Sequence, residues 1–187
     1  MSMMTIMSIC LGIGLAASAG FRVFIPLFAL SAATYTGIVP IHETWQWLGS
    51  EAALIMLGIA VMVESVSYLV PFVDNLLDSI AIPLAGVAGT ALVAATMSDM
   101  HPAATWAIAI IGGGGTATAI KSTAATGRAL SSATTAGLAN PVISIGETIT
   151  AIMMSVLSLF LPVLAVFLVV LLGYLGWKIV KKKPKHV

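Results

Sequence analysis

The sequence predicts an all-α fold, a polytopic helical membrane bundle of about five to six crossings, and three observations lead there. Of the 187 residues 59% are hydrophobic and only 8% are charged, at a mean hydropathy of +1.09. Soluble domains carry roughly 25% charged residues, so this chain cannot cover a water-facing surface. Apolar stretches of ~20 residues or more, the length that crosses a bilayer, recur along it. Its charge is also lopsided. Net charge is +1, yet five of the eight basic residues (Lys178, Lys181, Lys182, Lys183 and Lys185) stand in the last ten positions. Lysines directly after a span mark the cytoplasmic side. Residues 1–180 are therefore expected to form a single transmembrane domain and 181–187 a basic cytoplasmic tail, with no nucleic-acid partner. The single Cys10 excludes an internal disulfide and any cysteine metal motif. The N-terminus lacks the basic segment of a signal peptide and reads as part of the first helix.

Met4 to Thr36 is almost uninterruptedly apolar and too long for one straight crossing. It predicts a kinked helix, or two pieces meeting near Ser18-Ala19-Gly20, since Arg22 and Pro26 follow that patch. Thr36 to Ser50 is a loop without Lys or Arg, and its Trp45 and Trp47 suit the membrane–water interface on the outer side. Glu51 to Val70 predicts a second span, with Glu64 near its end and Pro71 stopping it. Asp74 and Asp78 lie one helical turn apart on a common face. Ile80 to Met97 is the next span, bent at Pro83, with the small residues Ala85 and Gly89 spaced for close helix approach. After the short turn Ser98 to Pro102, Ala103 to Ile111 leads into four consecutive glycines, Gly112 to Gly115. Asn140-Pro141 reads as N-cap and first-turn proline of another helix. Val142 to Val180 is again too long for one crossing and is interrupted at Pro162. Two long broken segments, one near each end and each with a cation close by, make an inverted repeat with broken or re-entrant helices a candidate arrangement.

The stretch from Ile111 to Pro141 draws the functional reading. Glycines give the backbone freedom, and a glycine-rich break leading into a helix exposes N–H groups at a positive dipole end. Lys121 and Arg128 follow, seven positions apart and so on one helix face. The stretch is not a P-loop, because Ile120 rather than Gly precedes Lys121 and no strand leads in. Ionisable groups within a bilayer cost roughly 2.5–3.5 kcal/mol each at mid-span. Arg22, Glu64, Lys121, Arg128 and Glu147 are expected at depth, with Asp74 and Asp78 nearer a surface. Two readings follow. Either these charges pair internally and hold the bundle together, or Arg22, Lys121 and Arg128, with amides around Gly113 and Gly114, bind an anion. The glycine run has its own structural reading as a tight helix crossing. The Ser/Thr cluster from Thr116 to Ser132 either lines a wet path or hydrogen-bonds to helix carbonyls. Glu64, Asp74, Asp78 and Glu147 would couple protons, form ion pairs or, as an alternative, ligate a divalent cation. His42, His101 and His186 fall in loops or the tail, and no catalytic signature occurs.

At Ala16–Phe28 and Val70–Gly86 the chain resembles the domain of unknown function 4126 family, small bacterial multi-pass membrane proteins. The first block carries Gly20, Arg22 and Pro26 as G-x-R-x-x-x-P, and the second carries Pro71, Asp74, Asp78, Pro83 and Gly86. Lys121 and Arg128 followed by Glu147 look like that family's Lys–Arg stretch and later acidic position. The resemblance implies residence in a bacterial cytoplasmic (inner) membrane and confers no activity. The residues favour a small transporter or lipid-head-group translocator for an anionic or phosphate-bearing solute, with proton or cation coupling and a homodimer as further expectations. Its rivals are a non-transporting scaffold or accessory subunit and a divalent-cation transporter using the carboxylates. An intramembrane enzyme comes last, and neither a cofactor nor a metal is expected.

Overall fold

The computed structural model describes residues 2–68, 71–97 and 100–181, and for 71–76, 78–79, 172, 175–177 and 179–181 only their backbone. Among the described residues the fold is all-helical. The helices are α1 (Met3–Phe21), α2 (Phe24–Tyr35), α3 (Glu51–Ser67), α4 (Pro71–Thr96), α5 (Pro102–Ile108), α6 (Gly115–Thr135), α7 (Asn140–Phe160) and α8 (Pro162–Lys181). A 3₁₀ turn, Glu43–Gly49, precedes α3, and a π-helical turn, Ala109–Gly114, joins α5 to α6. Among the described residues three helical runs are long and apolar enough to cross a membrane: α1, Pro102–Thr135 and α7. A fourth is the 3₁₀ turn with α3, if that pair, bent by 66°, counts as one span.

Local chemistry sets the boundaries. The Ser2 hydroxyl accepts from the Thr5 N–H and caps α1, and Ser50 does the same for α3 at Ala53. His42 and His101 each cap the following helix through their side chains. Pro162 disfavours helical backbone at the residue before it, and Leu161 accordingly leaves the helix at φ −136° and ψ 63°. Past α6, Ala136 (φ 52°) and Gly137 (φ 82°) are left-handed and close the helix. Asn140 is the first residue of α7 rather than its cap, which is Ala139. Pro83 lies inside one 26-residue helix, so the Asp74/Asp78 segment and the next span form a single element.

The break after the first apolar segment falls at Arg22-Val23, not at Ser18-Ala19-Gly20. The small patch has another use. A side chain on Gly20 would lie 2.9 Å from the Ala117 carbonyl oxygen, so the glycine lets α1 press against α6. After the break α2 doubles back. Val23 and Phe24 meet Glu64, Phe28 meets Gly58, and Thr34 meets Gly49, so α2 and α3 run antiparallel. The loop that follows α2 then reaches α4, where the His42 N–H donates to Ala95 O at 2.9 Å. α1 runs antiparallel along α7, from Gly14 beside Ser158 to Arg22 at Ser144. Leu15, Leu30, Leu92 and Ala117 fill the largest apolar cluster, and Trp45 packs against it while Trp47 stays exposed.

The four glycines do not open the chain. Gly112 to Gly114 continue the helix as part of a π turn, and Gly115 begins α6 with its N–H donating to the Ile110 carbonyl. The bareness of Gly113 and Gly114 serves contact. A side chain on Gly89 would stand 2.6 Å from Gly113 O, and one on Gly114 would stand 3.2 Å from Gly86 O. Close backbone approach of this kind is how helices associate in lipid, where apolar burial supplies no drive.

Candidate functional site

The five charged residues expected at depth are all buried: Arg22 (0% exposed), Lys121 (1%), Arg128 (2%), Glu147 (7%) and Glu64 (8%). They come from three helices (α3, α6 and α7) and the α1–α2 turn, and they gather around a residue that sequence reasoning passed over, Tyr68.

Arg22 occupies the turn itself. Its backbone is extended (φ −138°, ψ 124°), while its N–H still bonds to Ser18 O, so α1 ends by swinging the side chain inward. One terminal nitrogen, Nη2, donates to the Ser144 carbonyl at 2.9 Å and to the Ser144 hydroxyl. The guanidinium carbon stands 4.0 Å from the centre of the Tyr68 ring. Nε and Nη1 are buried and find no hydrogen-bond acceptor among the described residues.

Arg128 stacks on the same ring, its guanidinium carbon 4.4 Å from the centre. Its Nε reaches Glu147 Oε1 at 3.1 Å and its Nη2 pairs with Oε2, a two-point fork on one carboxylate. Lys121 approaches differently. Its ammonium donates to the Tyr68 hydroxyl at 3.1 Å and stands 5.0 Å from the ring centre, the geometry of an edge contact. It also reaches Phe21 O at 3.5 Å. Tyr68 thus carries two guanidiniums on its ring and an ammonium on its hydroxyl.

Glu64 has another task. Its two oxygens accept from the Val23 N–H (2.9 Å) and the Phe24 N–H (3.1 Å), the first amides of α2. A carboxylate at that end satisfies orphan donors and opposes the helix dipole. Glu64 therefore holds the turn that carries Arg22. Ser18 ties α1 to α7 by donating to Ala151 O at 2.7 Å and meeting the Ser155 hydroxyl at 2.8 Å.

Gly113 and Gly114 lie apart from this cluster, two turns before Lys121 and packed on Gly89 and Gly86. Their expected role as amide donors to an anion gives way to helix packing, because a π turn uses the amides internally. The side chains of Asp74 and Asp78, and Lys182, Lys183 and Lys185 of the tail, lie outside the described residues. Three hydroxyls of the Ser/Thr stretch bond back to the carbonyl one turn earlier, Ser122 to Thr118, Thr123 to Ala119 and Thr126 to Ser122. Glu64 and Glu147 engage different donors, so they form no shared ligand set. Spacing could have flagged the missed partners: Tyr68 stands four residues after Glu64, and Ser144 three before Glu147, each on its partner's helix face.

Two apolar clefts flank the turn. One of about 640 Å³ runs between α2, α3 and α7. The other, about 330 Å³, is lined by Val23, Phe24, Glu64 and Tyr68 together with α3 and α4. A family model described as domain of unknown function (DUF4126) matches residues 9–182. No curated protein and no solved structure matches the chain.

Proposed function

The chain belongs to the DUF4126 family, whose description assigns no activity, and from its residues we propose a small integral membrane transporter, or lipid-head-group translocator, for an anionic or phosphate-bearing solute. The observation that carries this reading is Arg22: a fully buried cation in an apolar bundle with two nitrogens left without acceptors. A purely structural charge is expected to have its donors met, as Arg128 does at Glu147. An unmet buried donor costs about 1–3 kcal/mol, and an oxyanion would remove that cost.

The mechanism is alternating exposure of the Arg22 site. Tyr68 touches Arg22, Lys121 and Arg128 together, so an anion drawn to Arg22 shifts the shared ring and the two cations beyond it. Glu64, which accepts from the Val23 and Phe24 amides beside Arg22, is the carboxylate placed to couple proton or cation movement to the solute. In this reading α1–α2 is a re-entrant hairpin with Arg22 at its tip, and α3, α4, α5–α6, α7 and α8 make five crossings. The C-terminal lysines then lie in the cytoplasm of a bacterial inner membrane, and the Lys/Arg-free loop 36–50 lies outside. The turn at Leu161 brings Ser158 and Ala165 together on Gly14, which supports a second, opposed hairpin and the inverted-repeat arrangement. A homodimer supplies the enclosure that one bundle of this size lacks.

Thermal unfolding of the purified chain in neutral detergent tests the anion site. Phosphate should raise Tm relative to chloride at equal ionic strength, and Arg22→Gln should remove the rise. Arg22→Lys, which keeps the charge and loses the planar fork, should retain part of it. If no phosphate or carboxylate shifts the wild-type Tm, or if the rise persists in Arg22→Gln, the site does not bind anions.

A further inference from the structure

We propose that the anion handled at Arg22 is the head group of a membrane lipid, with a hydrocarbon chain lying in the cleft between α2, α3 and α7. This deepens the reading above and rests on it. The cleft is walled by Ile25, Ala32, Val61, Ile152 and Val156, and nearly all the surface it presents is apolar. Its volume of about 640 Å³ falls within the ~300–1,000 Å³ usual for small-molecule sites. A soluble anion has no use for such walls, whereas a lipid tail does.

The cleft also leads to the charged cluster. Three of its lining residues sit beside charged ones in the chain: Ile25 one turn after Arg22, Ser65 next to Glu64, and Thr148 next to Glu147. Thr148 provides the physical link. Its hydroxyl donates to Ser144 O at 3.0 Å, the same carbonyl that accepts from Arg22 at 2.9 Å. The apolar trough thus ends one hydrogen-bonded group away from a buried cation with unmet donors. Charge at one end and hydrocarbon walls along the rest match an amphiphile with an anionic head. The smaller cleft beyond Glu64 gives a second chain a place on the other side of the same turn.

Native mass spectrometry of the full chain in neutral detergent tests this with phosphatidate and with phosphatidylcholine of the same acyl chains. In parallel, the Tm rise with inorganic phosphate reports the anion site alone. Phosphatidate should bind saturably and about tenfold more tightly than phosphatidylcholine. Filling the cleft by Ala32→Phe or Val156→Trp should weaken phosphatidate about tenfold and leave the phosphate-induced Tm rise unchanged. Arg22→Gln should remove both. If both cleft variants elute as folded protein and still bind phosphatidate at full strength, the lipid assignment is wrong. The same holds if the two lipids bind equally. A surviving phosphate response in those cases leaves the anion reading standing, whereas its absence from the wild type removes both.

Discussion

Replacing Tyr68 separates two physical contributions at the centre of the bundle. Tyr68→Phe keeps the ring under Arg22 and Arg128 and removes only the hydroxyl that accepts from Lys121 at 3.1 Å. Hydrogen bonds to charged groups contribute about 1.5–3 kcal/mol in general. Within membrane proteins measured values average about 0.6 and reach about 1.7 kcal/mol, because the unfolded chain in lipid also finds partners. A loss of about 1–2 kcal/mol is therefore expected. Tyr68→Leu removes the ring as well. With Tyr68 only 4% exposed, each desolvated stack at 4.0 and 4.4 Å contributes up to about 2 kcal/mol, so the total loss should reach about 3–6 kcal/mol. Reversible unfolding in mixed micelles, followed by tryptophan fluorescence, measures both. Should Tyr68→Leu prove no less stable than Tyr68→Phe, the ring does not hold the two guanidiniums, and the coupling of the three cations through it collapses.

The other predictions concern the frame around that ring. Glu147→Gln strands the buried Arg128 guanidinium and should cost about 3–5 kcal/mol, with the double change Arg128→Gln/Glu147→Gln recovering part of it; denaturant titration of the three variants decides. Glu64→Gln weakens the carboxylate that accepts the first two amides of α2 and should cost about 1 kcal/mol, visible as faster hydrogen exchange at Val23 and Phe24. Gly113→Val forces a side chain into the Gly89 backbone and should give little folded protein, whereas Gly115→Ala, with open space around it, should express normally. Ala136→Gly relieves a left-handed alanine (φ 52°) and should stabilise by about 0.5–1 kcal/mol, read as a higher Tm.

Composition and hydropathy sufficed to show an all-helical chain built for a membrane, because both are sums over residues that hold whatever the packing. The stop at Pro162 was equally legible, since proline disfavours helical backbone at the residue before it and Leu161 leaves the helix there, whereas Pro83 sits within one continuous helix. The rarity of charge in an apolar body marked Arg22, Glu64, Lys121, Arg128 and Glu147, since each would be too costly to leave in lipid without a partner. What each charge meets was beyond the sequence. Glycine freedom is compatible both with an opened backbone and with a helix pressed on another helix, and only the approach of α4 decides for the second at Gly113. Tyr68 looked like one more residue at the end of a span until the α1–α2 turn and α6 brought three cations to it from 46, 53 and 60 positions away. Contacts at such separations depend on how whole helices dock, and local spacing shows only that Tyr68 shares a helix face with Glu64, not which cations reach it.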